Sequence, residues 1–148
     1  MKSLHRVGLI AAALLLTGDP ALARNIKFLM PIEEALASEA DEKPSGSIKF
    51  YFGEQEHPKI AIRVRGEAVY RKAAAMGRAE EKSCAEAFLY ALAALEKRAK
   101  QLGADAVVNI MSFYKNQPMP SSVAFECHVG NVVTGVTLKG DFVKLAEQ

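Results

Sequence analysis

Residues 83–110 read SCAEAFLYALAALEKRAKQLGADAVVNI, and this stretch decides the fold. Cys84, Ala87, Phe88, Ala91, Leu92, Leu95, Ala99 and Leu102 recur at helical spacing and make one apolar stripe. Glu86, Glu96, Lys97, Lys100 and Gln101 fall mostly outside it. Ser83 with Glu86 three residues on has the form of a capping box, and Gly103 supplies a stop, so the pattern predicts a helix over 84–102. The run at 105–113 is rich in β-branched residues and reads as a strand that follows at once.

Outward from there the period is two. Ile48, Phe50 and Phe52 alternate with polar neighbours up to Gly53. A second strand is expected at 59–65, a turn at Gly66-Glu67, and a third strand around 68–72. Val123, Phe125, Cys127 and Val129 alternate with Ala124, Glu126 and His128 over 122–129. Gly130-Asn131 has hairpin chemistry, and a last strand is expected from about 132 to 139, with a bend at Gly140-Asp141. Residues 31–38 suggest a short helix that starts at Pro31, and residues 39–46 a polar linker. The expected class is α+β: a mostly antiparallel sheet of four to six strands with one long helix packed on one face.

The chain has 148 residues, 50% hydrophobic and 24% charged, with formal net charge +2. That balance suits one globular domain and gives no electrostatic reason to expect nucleic-acid binding. The start reads as a cleaved secretory signal: Lys2 and Arg6, an apolar run over 9–16, a break at Gly18 to Pro20, then Ala21-Leu22-Ala23 as the cleavage site. The expected organisation is a signal over 1–23, a short helix and linker over 24–46, and a domain over 47–148, placed in the periplasm without a membrane span.

Cys84 sits on the helix stripe and Cys127 on the apolar face of its strand, faces that meet in a core. In an oxidising compartment this predicts a Cys84–Cys127 disulfide; the alternative is two separate buried thiols. No Cys/His cluster has zinc spacing, and Cys127 and His128 point to opposite faces of a strand. Glu126 and His128 share the outward face and are the weak candidates for a metal, set against a plain solvated strand face. No cofactor is expected. Gly77 to Ser83 has Lys82 where a phosphate loop requires its second glycine, and no G-x-S-x-G occurs, so no catalytic residue is assigned. The surface signal is basic: Lys59, Arg63 and Arg65 on the outer face of one strand, then Arg71, Lys72 and Arg78. Such a strip suits an anionic partner; the alternative is an edge strand that uses charge against aggregation.

Residues 99–110, Ala-Lys-Gln-Leu-Gly-Ala-Asp-Ala-Val-Val-Asn-Ile, resemble the hallmark of the YbjQ-like proteins, once grouped as heavy-metal-binding domains, and the matching part of RcsF-type envelope stress sensors. The likeness covers residues 84–139. It implies the same helix-then-strand fold, and a bridge from the helix start to a later strand, where Cys84 and Cys127 stand. The lipid-bearing Cys and the second bridge of the RcsF type are not here. Phe50-Tyr51-Phe52-Gly53 also resembles small secreted proteins that carry an excinuclease-subunit label, although nothing in this chain would excise DNA. The function expected is a non-enzymatic periplasmic binding module for envelope interaction or stress sensing, with an envelope protein or anionic envelope component as partner. The second expectation is a ligand- or metal-binding homo-oligomer of the YbjQ type.

Overall fold

The computed structural model describes residues 23–147, so all but the last residue of the signal expected over 1–23 lies outside the described residues. The elements are β1 (Ile26–Pro31), α1 (Ile32–Leu36), β2 (Lys49–Phe52), β3 (Ile60–Ala74), α2 (Glu80–Leu102), β4 (Ala106–Ser112), β5 (Ala124–Val129) and β6 (Val133–Leu145). They form an α+β fold, a six-stranded sheet with α2 across one face. The sheet is mixed rather than purely antiparallel, because β2 runs parallel to β4.

β6 organises the sheet. β3 lies along the whole of one edge, from Ala74↔Val133 to Ile60↔Leu145. On the other edge β4 pairs with residues 138–143, and β5 takes over at 134–136. The start of β5 leaves β6 and pairs only with β1, while β4 continues outward to β2. The sheet therefore forks between the β5–β1 and β4–β2 branches.

The core lies between the sheet and α2. Phe88 stacks on Phe125 at 4.1 Å between ring centroids and on Phe52 at 5.9 Å. A bulge in β4 puts both Val107 and Ile110 on this face; Asn109, with φ 53°, absorbs the extra residue as Asn tolerates. Cys84 and Cys127 form the expected disulfide, both fully buried. Beside it the Ser83 and Thr134 hydroxyls meet at 2.8 Å.

Several expectations need correction. α2 begins one turn earlier, at Glu80 behind Ala79, without a side-chain cap. Ser83 is inside the helix, its hydroxyl donating to the Glu80 carbonyl, and Glu86 forks with Arg78 instead of closing a capping box. Gly103 ends the helix at φ 65° as expected. The strands predicted at 59–65 and 68–72 are one 15-residue strand, because Gly66 pairs with Asp141 rather than turning. The last strand runs through Gly140-Asp141 to Leu145, since Gly140 leaves the room that the Val107 and Ile110 side chains fill. The hairpin before it spans Gly130 to Val132, closed by the Gly130 N–H on the Val133 carbonyl. Residues 26–31 form an unforeseen strand, so the sheet crosses the expected 46/47 boundary.

Candidate functional site

The fork in the sheet opens a groove of about 530 Å³, lined by Pro31, Ile32, Glu33, Leu36, Phe50, Phe52, Gln55, Ser122 and Val123. Its walls come from elements far apart in sequence. Alternation along β2 sends Phe50 and Phe52 to the α2 side, and Phe52 also belongs to the core stack. Pro31 ends β1 and caps α1, and the Ile32 N–H donates to the Val123 carbonyl at 2.9 Å, which joins the two sides. Gly53, next after Phe52, packs against the 121–122 backbone. Its φ of 53° and the Ser121 carbonyl carbon, 2.8 Å from where a Cβ would sit, admit no side chain there. Leu36 (47% exposed) and Val123 (73%) offer apolar surface at the mouth, over a floor held by buried Ile32 and Phe52. Chemically the groove suits an apolar ligand segment, with Glu33, Gln55 and Ser122 to orient it.

Glu126 and His128 do share the outer face, and His128 Nε2 meets Glu126 Oε1 at 2.5 Å. Both side chains already have polar neighbours. His128 Nδ1 lies 2.9 Å from Asn25 Oδ1, Lys27 Nζ sits 2.9 Å from Glu126 Oε2, and the Asn25 amide donates to the Tyr114 hydroxyl at 2.9 Å. Tyr114 stacks on the imidazole with centroids 3.4 Å apart. Burial pushes the Glu126 carboxyl up, but the bonds from His128 and Lys27 and their charges outweigh it and hold the group below its ordinary value. Among the described residues no group of three or more His, Cys, Asp or Glu is placed to hold a metal. The network ties β1 and the 113–117 turn to β5. Its outer members, Asn25, Lys27 and Tyr114, carry no sequence signal that points to them.

The basic strip is divided. The register shift between Arg63 and Arg65 inserts one residue, which turns them to opposite faces and overturns their expected common one. Arg63 bonds Asp141 at 2.5 Å, and Arg65 reaches Glu67 at 3.5 Å. Arg78 is held by Glu86. Lys59 precedes β3, Lys72 faces outward opposite Gly135, and Arg71 lies on the α2 side.

No helix among the described residues is long and apolar enough to cross a membrane. Comparison with family models, with curated proteins and with solved structures returns no match.

Proposed function

We propose that this chain is a periplasmic binding module that works by recognition rather than catalysis, and that the fork groove takes a short apolar segment of an envelope protein. The observation that carries the reading is the groove itself: apolar walls on rigid elements, exposed at the mouth and continuous with the core. The buried disulfide suits an oxidising compartment, which supports export through the Lys2-to-Ala23 signal. The likeness of residues 99–110 to YbjQ-like and RcsF-type proteins points the same way. The groove is a better candidate than the basic strip, because Arg63 and Arg65 already have carboxylate partners. In the second reading, a metal-binding oligomer, Glu126 and His128 would first have to give up Lys27 and Asn25.

A photoreactive residue placed at Leu36 in living cells tests this, with the exposed Lys144 position as control. The expected result is a discrete protein adduct from position 36 and none from 144. Val123→Asp should cut the adduct about tenfold, since a partner would have to bury the new charge. Val123 is exposed, so the fold should tolerate the change. A Leu36 pattern identical to that of Lys144, or one indifferent to Val123→Asp, would remove the groove from consideration.

A further inference from the structure

β3 is paired only to β6 among the described residues, which leaves its other edge open. Hydrogen bonding at β6 shows which groups face that edge. The Thr137 carbonyl is taken by the Phe113 N–H at 2.9 Å and the Val133 carbonyl by the Gly130 N–H at 3.0 Å, both on the side of β6 away from β3. Tyr70 and Ala74, which stand opposite Thr137 and Val133, therefore turn their own N–H and C=O outward. By alternation Ala68 and Lys72 do the same. Ala75, one residue out of that phase, bonds inward to Val132 at 2.9 Å. Bulges disrupt the strand before Arg65, but Gly66 to Ala74 is regular. The Arg71 guanidinium covers the outward Tyr70 carbonyl at 2.9 Å, and Arg78 covers that of Ala74 at 3.4 Å, beyond the segment paired below.

This edge is complementary to itself. An antiparallel pairing of two copies is two-fold symmetric, and hydrogen-bond phase requires the axis to pass through a residue. With Val69 on the axis, Glu67 stands opposite Arg71 of the second copy, twice by symmetry, and Ala68 stands opposite Tyr70 as a hydrogen-bonded pair. Neighbouring registers lose this. An axis on Tyr70 puts Glu67 opposite Ala73, and an axis on Ala68 or Arg71 sets arginine against arginine. Charge therefore selects one register. A groove of about 330 Å³ between the edge and α2, lined in part by Val69, Arg71 and Ala94, leaves room for the incoming side chains. The rim is positive, with Lys97 and Arg98 beside it, and Arg98 already holds Glu67 at 2.7 Å.

We infer that the free edge of β3 docks a second copy of this chain, antiparallel about Val69, to give a continuous sheet across two protomers. On pairing, the Tyr70 carbonyl passes from Arg71 to the Ala68 N–H of the second copy, and Arg71 turns to Glu67 opposite.

Sedimentation equilibrium of the purified chain should show a monomer–dimer equilibrium in the micromolar range. Arg71→Glu replaces two opposite-charge pairs by two like-charge ones and should raise the dimer Kd about tenfold. Ala68→Pro should also weaken the dimer without disturbing the β3–β6 ladder, because the N–H it removes faces the open edge. Val69→Cys should yield a disulfide-linked dimer on mild oxidation, since the axial residues form a close pair, and Tyr70→Cys should not. A chain that stays monomeric with Val69→Cys uncrosslinked overturns the inference. Preferential crosslinking through Tyr70→Cys, or an unchanged Kd in Arg71→Glu, overturns it as well.

Discussion

Replacing both cysteines, as Cys84→Ala with Cys127→Ala, is expected to lower unfolding stability by about 4 kcal/mol, the chain-entropy value for a closed loop of this size, less any native strain. The bridge joins residues 43 apart in sequence, from the first turns of α2 to the middle of β5. Those are the two elements that present Phe88 and Phe125 to each other. The native state loses little contact area, so the effect acts mainly through the unfolded chain, which becomes free to expand. Urea titration should therefore show a lower midpoint together with a steeper dependence on denaturant. Dithiothreitol should reproduce the shift in the parent chain and do nothing to the double variant. A change below about 1 kcal/mol would mean that the packing of α2 on the sheet already holds this loop closed in the unfolded ensemble.

The α2 stripe, the apolar side of β5 and the disulfide between them were legible because each depends on local periodicity, and two opposed apolar faces have only one place to meet. The alternation of Ile48, Phe50 and Phe52 was legible for the same reason. What was hidden is long-range. β1 has no strong period-two pattern: Ile26, Phe28 and Met30 are interrupted by Leu29, which is 55% exposed, and only pairing with β5 makes it a strand. The fork, and with it the groove, exists because β4 gives way to β5 along a single edge of β6, and no spacing in the sequence records that exchange. The bulge between Arg63 and Arg65 turns the two to opposite faces, so a period-two reading aligns them wrongly. Glu126 and His128 were found because residues two apart in a strand share a face. Their partners Asn25 and Lys27 are not legible this way, because only the long-range pairing of β1 with β5 brings them in.

Glu96 is the other case, and its effect is large. By helical position it lies at the margin of the apolar stripe, yet it is only 5% exposed because the 45–47 segment folds over it. Its carboxylate accepts the Ser45 N–H at 2.8 Å and, at 3.1 Å each, the Ser45 hydroxyl, the Ser47 N–H and the Ser47 hydroxyl. Lys100 stands at 3.5 Å. Burial pushes this carboxyl up, but the bonds from Ser45 and Ser47 and the Lys100 charge prevail and bring it from 4.5 down to about 2. The group therefore binds its proton more weakly in the folded chain than in the unfolded one. Its contribution, about 3 kcal/mol for a shift of that size, is fully present above pH 4.5 and is lost as pH falls towards 2. Glu96→Gln should remove that contribution at neutral pH, because an amide has one acceptor oxygen for four donors and turns its own N–H groups towards them. Glu67 and Glu126 are shifted in the same direction and stay in both proteins, so the difference between parent and variant isolates Glu96. Urea unfolding measured from pH 7 to pH 2 should show the two stabilities about 3 kcal/mol apart at neutral pH and converging as the parent carboxylate takes up its proton. Parallel curves across that range would mean that Glu96 acts by its shape alone and that the serines, rather than the charge, hold the segment on α2.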